Sequence, residues 1–209
     1  MKKKEFETLG RRLLPDLPGF AVKGELLFAQ PIAQILRGVC FDRSIDTRSF
    51  YVEVFVQPLF VPSKHLVFNF GRRLGGGCRS WNADAPDVIA ELSAELRRDA
   101  LPFLSHVESV LDFVEVAKSF SSANPHTPKA IAFALARAGQ TSQAVEVLDQ
   151  LLSQLDLNVA WQREIADQAK ALKAKLVTNP IEAQQQLDAW EAETVHNLGL
   201  DDFVIKRPI

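Results

Sequence analysis

"SFYVEVFVQPLFV", residues 49–61, sets Phe50, Val52, Val54 and Val56 on one face of an extended chain and Tyr51, Glu53, Phe55 and Gln57 on the other. β-Branched and aromatic residues dominate it, which predicts a strand with one apolar and one mixed face. Upstream, "FAVKGELLFA" (20–29) reads as a half-buried strand, with Phe20, Val22, Leu26 and Phe28 on one side and Lys23 and Glu25 on the other. "ILRGVCFD" (35–42) is a weaker strand candidate. Downstream, "HLVFNFG" (65–71) repeats the alternation, Leu66, Phe68 and Phe70 against His65, Val67 and Asn69. The connections are too short for parallel crossovers, so an antiparallel meander of about four strands is expected.

Helices flank this run. Residues 2–14 carry Phe6, Leu9 and Leu13 at helical spacing, and Pro15 with "DLPG" stops them. After Trp81 the pattern is helical throughout. Asp84 is a candidate cap for a helix with the stripe Val88, Leu92 and Leu96, and a second stripe runs through Leu104, Val107, Leu111 and Val114. The expected fold class is α+β: an N-terminal helix, the sheet covered by helices, then an all-helical C-terminal extension. "SSANPHTP" (121–128), small, polar and broken by prolines, divides the chain into an α+β domain at 1–120, a linker at 121–128 and the helical extension at 129–209. At the end of the linker, Thr127 and Pro128 are placed to start a helix, with Gly139 to end it and Thr141 to start the next. "NPIE" (179–182) has capping-box spacing with Pro180 at the first helical position, and Gly199 can close that helix.

The composition is ordinary for a globular chain: 209 residues, 47% hydrophobic and 24% charged. Its 24 basic and 26 acidic residues give a net charge of −2, which argues against nucleic acid as a partner. No run reaches the ~18 apolar residues of a membrane span, and the N-terminus lacks the apolar stretch of a signal peptide. Cys40 and Cys78 stand outside any metal spacing, so neither metal nor cofactor is expected, and a reducing cytoplasm fits best.

The candidate chemistry centres on "HLVFNFGRRLGGGCRSW" (65–81). Gly71 and Gly76 have the separation of a P-loop after a strand, but Gly77 stands where lysine should and Cys78 where a hydroxyl should hold magnesium. A nucleotide triphosphate site is therefore excluded. A weaker anion-binding concavity of backbone amides, with Arg72, Arg73 and Arg79 adding charge, competes with a plain connecting loop. Cys78 beside Arg79 could be a nucleophile with His65 as its base; an inert thiol is the simpler reading. Glu53, Tyr51, Gln57, His65 and Asn69 could line a pocket if the mixed face is concave, or could be the solvated side of a half-buried sheet.

Two resemblances add to this. Gly19 and Phe20 after the first helix, and Asn69 and Gly71 ending a central strand, are similar to a bacterial family catalogued as domain of unknown function 4304. The resemblance covers residues 1 to about 120 and implies a small α+β domain of bacterial cytoplasmic origin, with no activity attached. "LARAGQTSQAVEVLDQLL", with Leu135, Ala136, Gly139, Ala144, Leu148 and Leu152, resembles one tetratricopeptide helical hairpin, where small residues let two helices approach; simple antiparallel packing is the alternative. Two functions follow. The first is a non-enzymatic protein-binding module, adaptor or toxin-neutralising in kind. The second is a small-molecule or anion-binding domain, an enzyme included, using Glu53, His65, Asn69, Arg72, Arg73 and Arg79.

Overall fold

The computed structural model describes residues 1–77, 79–121 and 123–205. The chain is α+β and divides into two units that are not contiguous in sequence. The first comprises 1–57, 70–107 and the C-terminal stretch from Phe203; the second comprises 58–69 and 108–202. The stretch 121–128 thus lies inside the second unit.

The first unit begins with α1 (Lys3–Leu13), whose buried face Phe6, Leu9, Gly10 and Leu13 is the stripe read from sequence. The sheet follows: β1 (Phe20–Lys23), β2 (Leu26–Ala29), β3 (Ile35–Arg43), β4 (Ser49–Pro58), β5 (Gly71–Arg73) and β6 (Trp81–Asn82), in the order β1-β2-β3-β4-β5 with β6 also paired to β4. Two expectations are corrected here. "FAVKGELLFA" is a hairpin rather than one strand, because Gly24 at φ +60° makes a two-residue turn and Lys23 faces Leu26 across it. "HLVFNFG" forms no strand before Gly71; the ladder to β4 starts only there, with Phe55 opposite Gly71, Val54 opposite Arg72 and Glu53 opposite Arg73.

The apolar face of β4 is buried at Phe50, Val52, Val54 and Val56. Phe6 of α1, Phe41 of β3 and Phe50 of β4 form a ring cluster with centroids 5.8–5.9 Å apart, edge-on except for the parallel Phe6 and Phe41. The helical stripe Val88, Leu92 and Leu96 is also buried, in α2 (Val88–Glu95) and the π turn Leu96–Ala100 that leads into α3 (Leu101–Ser105). Asp84 does not cap α2; its carboxylate is taken by Arg48. Near the C-terminus Phe203 packs edge-on against Phe28 at 5.1 Å, and Val204 bridges to Ile32.

The second unit holds α4 (Val110–Lys118), α5 (His126–Arg137), α6 (Thr141–Gln154), α7 (Ala160–Thr178) and α8 (Pro180–Asn197). α4 starts at a capping box, Ser109 Oγ accepting from the Asp112 amide while the Asp112 carboxylate accepts from the Ser109 amide. Asn179 Oδ1 caps α8 through the Ile181 amide, and its side-chain amide donates to Glu182. α5 and α6 form the hairpin whose turn is Gly139, φ +76°. α8 also packs on α5: Phe133 stacks on Trp190 at 5.3 Å, and Gln184 Nε2 donates to the Ala136 carbonyl. This return of the fourth helix to the first closes the four into a bundle. Gly139→Ala puts a Cβ into the left-handed region and is expected to cost about 1 kcal/mol, read from the urea midpoint.

Residues 58–69 join the bundle through α8. Thr194 Oγ1 accepts from the Ser63 amide at 3.2 Å, and Asn197 Nδ2 donates to the Ser63 carbonyl at 3.2 Å. These bonds explain why a period-two pattern at 65–70 does not become a strand: its upstream anchor lies on a helix.

Candidate functional site

The arginines of the glycine-rich segment are each held by a carboxylate and an aromatic ring. Arg73 stands directly opposite Glu53 in the β4–β5 ladder and donates to its carboxylate at 2.8 Å, with the guanidinium 4.0 Å above the Tyr51 ring. It also donates to the Gly77 carbonyl at 3.1 Å, which ties the glycine turn to the sheet. Arg72 points to the opposite face, donates to Asp99 at 2.5 Å and lies 4.8 Å from the Phe103 ring. Arg79 donates to the buried Glu95 at 2.9 Å, approaches Glu91 at 3.8 Å and stacks 4.1 Å over Trp81. Gly75 (φ +75°) and Gly76 (φ +94°) supply the left-handed turn between them.

Glu53 and Arg73 are thus brought together, whereas Arg72 and Arg79 reach separate carboxylates on the helical side. His65 and Asn69 belong to the second unit, where the backbone of His65 exchanges bonds with the Ser63 hydroxyl. An anion at the arginines would have to compete with carboxylates that already engage them. Phosphate at about 10 mM is therefore expected to raise the melting temperature of the wild type no more than that of Arg72→Ala/Arg73→Ala, while the double variant loses about 1–2 kcal/mol of stability. A phosphate-dependent rise confined to the wild type would show that the pairs open for a ligand.

Cys78 lies outside the described residues. The Cys40 thiol is buried, and burial together with Glu25, Asp42 and Glu53 pushes it up to about 12, so it stays protonated and unreactive at neutral pH. Among the described residues no group of three His, Cys, Asp or Glu side chains could hold a metal, and no helix is long and apolar enough to cross a membrane. A depression of about 200 Å³ opens elsewhere in the first unit, beside Glu5, Thr8, Arg12 and Arg48. There Arg48 is engaged by Glu5 at 2.9 Å and by Asp84.

No family model, curated protein or solved structure matches the chain.

A second group of residues, in the helical unit, escaped the sequence reading. Lys129 on α5 is only 5% exposed, and its ammonium donates to Gln168 Oε1 of α7 at 2.5 Å, 5.6 Å from the Phe133 ring. No carboxylate among the described residues pairs with it, and burial lowers it to about 8 against the attraction of Glu164. One turn earlier, His126 stacks on Trp161 of α7 at 5.7 Å and 14°. Trp161 is 46% exposed and Leu157, four residues before it, 47%. The signal for Lys129 was present as the one charge between Pro128 and Arg137 in the apolar run "KAIAFALAR".

Proposed function

We infer that this chain is a non-enzymatic protein-binding module, an adaptor or toxin-neutralising protein of the bacterial cytoplasm. The observation that supports it most directly is the pair Leu157 and Trp161 on the helical unit, two large apolar side chains each nearly half exposed where α6 passes into α7. Tryptophan beside an aliphatic residue is the side-chain chemistry that anchors protein interfaces, since a flat amphipathic ring buries much area with little loss of rotamer freedom. Val177 and Ile181, 67% and 70% exposed, make a second apolar pair at the α7–α8 turn. The sheet unit offers less to a ligand, because its arginines are already engaged with Glu53, Asp99 and Glu95.

The test is quantitative affinity capture from the native cell extract, wild type beside Leu157→Ser/Trp161→Ala. A protein held by the wild type and depleted at least ~10-fold with the variant supports the reading, since loss of one interface anchor of ~1.4 kcal/mol already gives that factor. Equal recovery with both baits removes this surface from consideration. A small-molecule thermal shift abolished by Arg72→Ala/Arg73→Ala would move the function to the sheet unit instead.

A further inference from the structure

The chain's near-neutral total of −2 conceals a division of charge. Residues 58–69 and 108–202, the helical unit, hold 14 acidic and 8 basic residues, a net charge of −6, whereas the sheet unit holds 12 acidic and 16 basic. Part of the acidic surplus lies beside Leu157 and Trp161. Glu164 stands one turn beyond Trp161 on α7 and Asp167 one turn beyond Glu164, both exposed, while Ile165, Ala166 and Ala169 on the other side of the helix are buried. Asp156, just before Leu157, is exposed too and accepts from the Asn158 amide. None of these three carboxylates takes part in an ion pair among the described residues. The one cation in the stretch 156–167, Arg163, donates back to the Leu157 carbonyl at 3.0 Å.

We propose that this face of α7 docks a basic protein segment, which sets a large apolar side chain against Leu157 and Trp161 and Lys or Arg side chains against Asp156, Glu164 and Asp167. The inference rests on the binding reading above and adds the chemistry of the partner. The apolar pair supplies the anchor, and the carboxylates select the sign of the partner and speed its approach, since an acidic segment would meet like charge at every turn. Helix geometry sets what the partner must match: Glu164 and Asp167 lie about 4.5 Å and about 9 Å along the axis from Trp161. Cations within about two turns of the apolar anchor reach both. At physiological salt charges act over about 8 Å, so carboxylates at the far end of the bundle contribute little. Glu146 and Glu182 are such a pair. Lys173, about 18 Å along α7 from Trp161, bonds Asp149 of α6, Glu146 lies beyond that level, and Glu182 follows the end of α7.

Two labelled helical peptides of about 14 residues test it, with the same leucine face and either lysine or glutamate at every remaining position, titrated with the intact chain by fluorescence anisotropy. The lysine peptide is expected to bind at least ~10-fold more tightly than the glutamate peptide, and to weaken as salt rises. Glu164→Gln/Asp167→Asn should weaken it about tenfold and flatten the salt dependence, and Trp161→Ala should weaken it at least ~10-fold. Glu146→Gln/Glu182→Gln, which removes the same charge at the far end, should change it less than about twofold. Two peptides bound equally, both lost in Trp161→Ala, would overturn the charge selection and leave the binding reading intact. Equal weakening by the two charge-removing pairs would reduce the effect to the general acidity of the unit and overturn the site. Binding of neither peptide would overturn the inference, while capture from extract decides the binding reading separately. Self-association of the wild type that Trp161→Ala abolishes, followed by sedimentation, would make a second copy the occupant and overturn it as well.

Discussion

Arg137→Met is expected to cost about 3–5 kcal/mol, lowering the urea midpoint followed by helical circular dichroism. Arg137 closes α5, where a cation also suits the negative pole of the helix. Its side chain is 5% exposed and reaches three residues of α8: Asp188 at 2.5 Å, Glu191 at 3.0 Å and Gln184 at 3.3 Å. The Glu191 carboxylate is itself mostly enclosed, so removal of the guanidinium strands a charge in a site that water reaches poorly. That stranded charge, rather than the net worth of the pair, makes the loss large. Arg137→Met/Glu191→Leu should therefore recover part of it, because neither charge is then left alone. Arg137→Lys keeps the charge but loses the planar fork that meets two carboxylates and an amide at once, and should fall between. A loss below about 1 kcal/mol in Arg137→Met would mean that solvent screens this clasp and that the Phe133–Trp190 stack and the Gln184–Ala136 bond close the bundle without it.

Arg137 was present in the sequence as an ordinary basic residue in the last turn of a helix. Its burial depends on α8 returning to α5, a contact made 47–54 residues later in the chain. The same division runs through the whole molecule. Features with a local cause were legible: the buried stripe of α1, the Asn179 cap with Pro180, the Gly139 turn and the apolar face of β4 all follow from spacing within a few residues. Features fixed at a distance were not. The alternation at 65–70 satisfies a strand template, yet Ser63 is bonded to Thr194 and Asn197, and the chain enters the sheet only at Gly71. Asp84 was a plausible helix cap until Arg48, 36 residues away, claimed its carboxylate. At the glycine-rich loop the arginines were legible as charges, but Asp99 and Glu95, which engage two of them, come from helices whose placement no motif announces. "SSANPHTP" has the composition of a linker, although Asn124 uses it to start a helix: its side chain accepts from the His126 amide and its carbonyl from the Thr127 amide.

Lys129→Met is expected to remove a rise in stability of about 3 kcal/mol that the wild type shows between about pH 8 and pH 10.5. The sign follows from the direction of the displacement. The folded chain holds the Lys129 proton only up to about pH 8, because burial opposes the ammonium, whereas the unfolded chain holds it up to 10.5. Below about 8 both states are protonated and the folded state bears the full penalty of enclosing the charge. Between the two values the unfolded state binds the extra proton, so raising the pH favours folding; above 10.5 both are neutral and the gain is complete. At about 1.4 kcal/mol for each tenfold change in proton affinity, the fall from 10.5 to about 8 amounts to about 3 kcal/mol. Other groups titrate in that range, so the quantity to measure is the difference between wild type and variant, from urea unfolding at a series of pH values. At pH 7 the variant escapes the penalty but leaves Gln168 Oε1 without the ammonium, which returns about 1–3 kcal/mol. A truncation at a buried position that leaves the protein as stable as before, or more so, is the opposite of what Arg137→Met should do, and the contrast has one cause. Arg137 is enclosed with its countercharges, and Lys129 is enclosed without one. If the two pH profiles run parallel from 8 to 10.5, the ammonium is hydrated in solution and Lys129 imposes no cost on the fold.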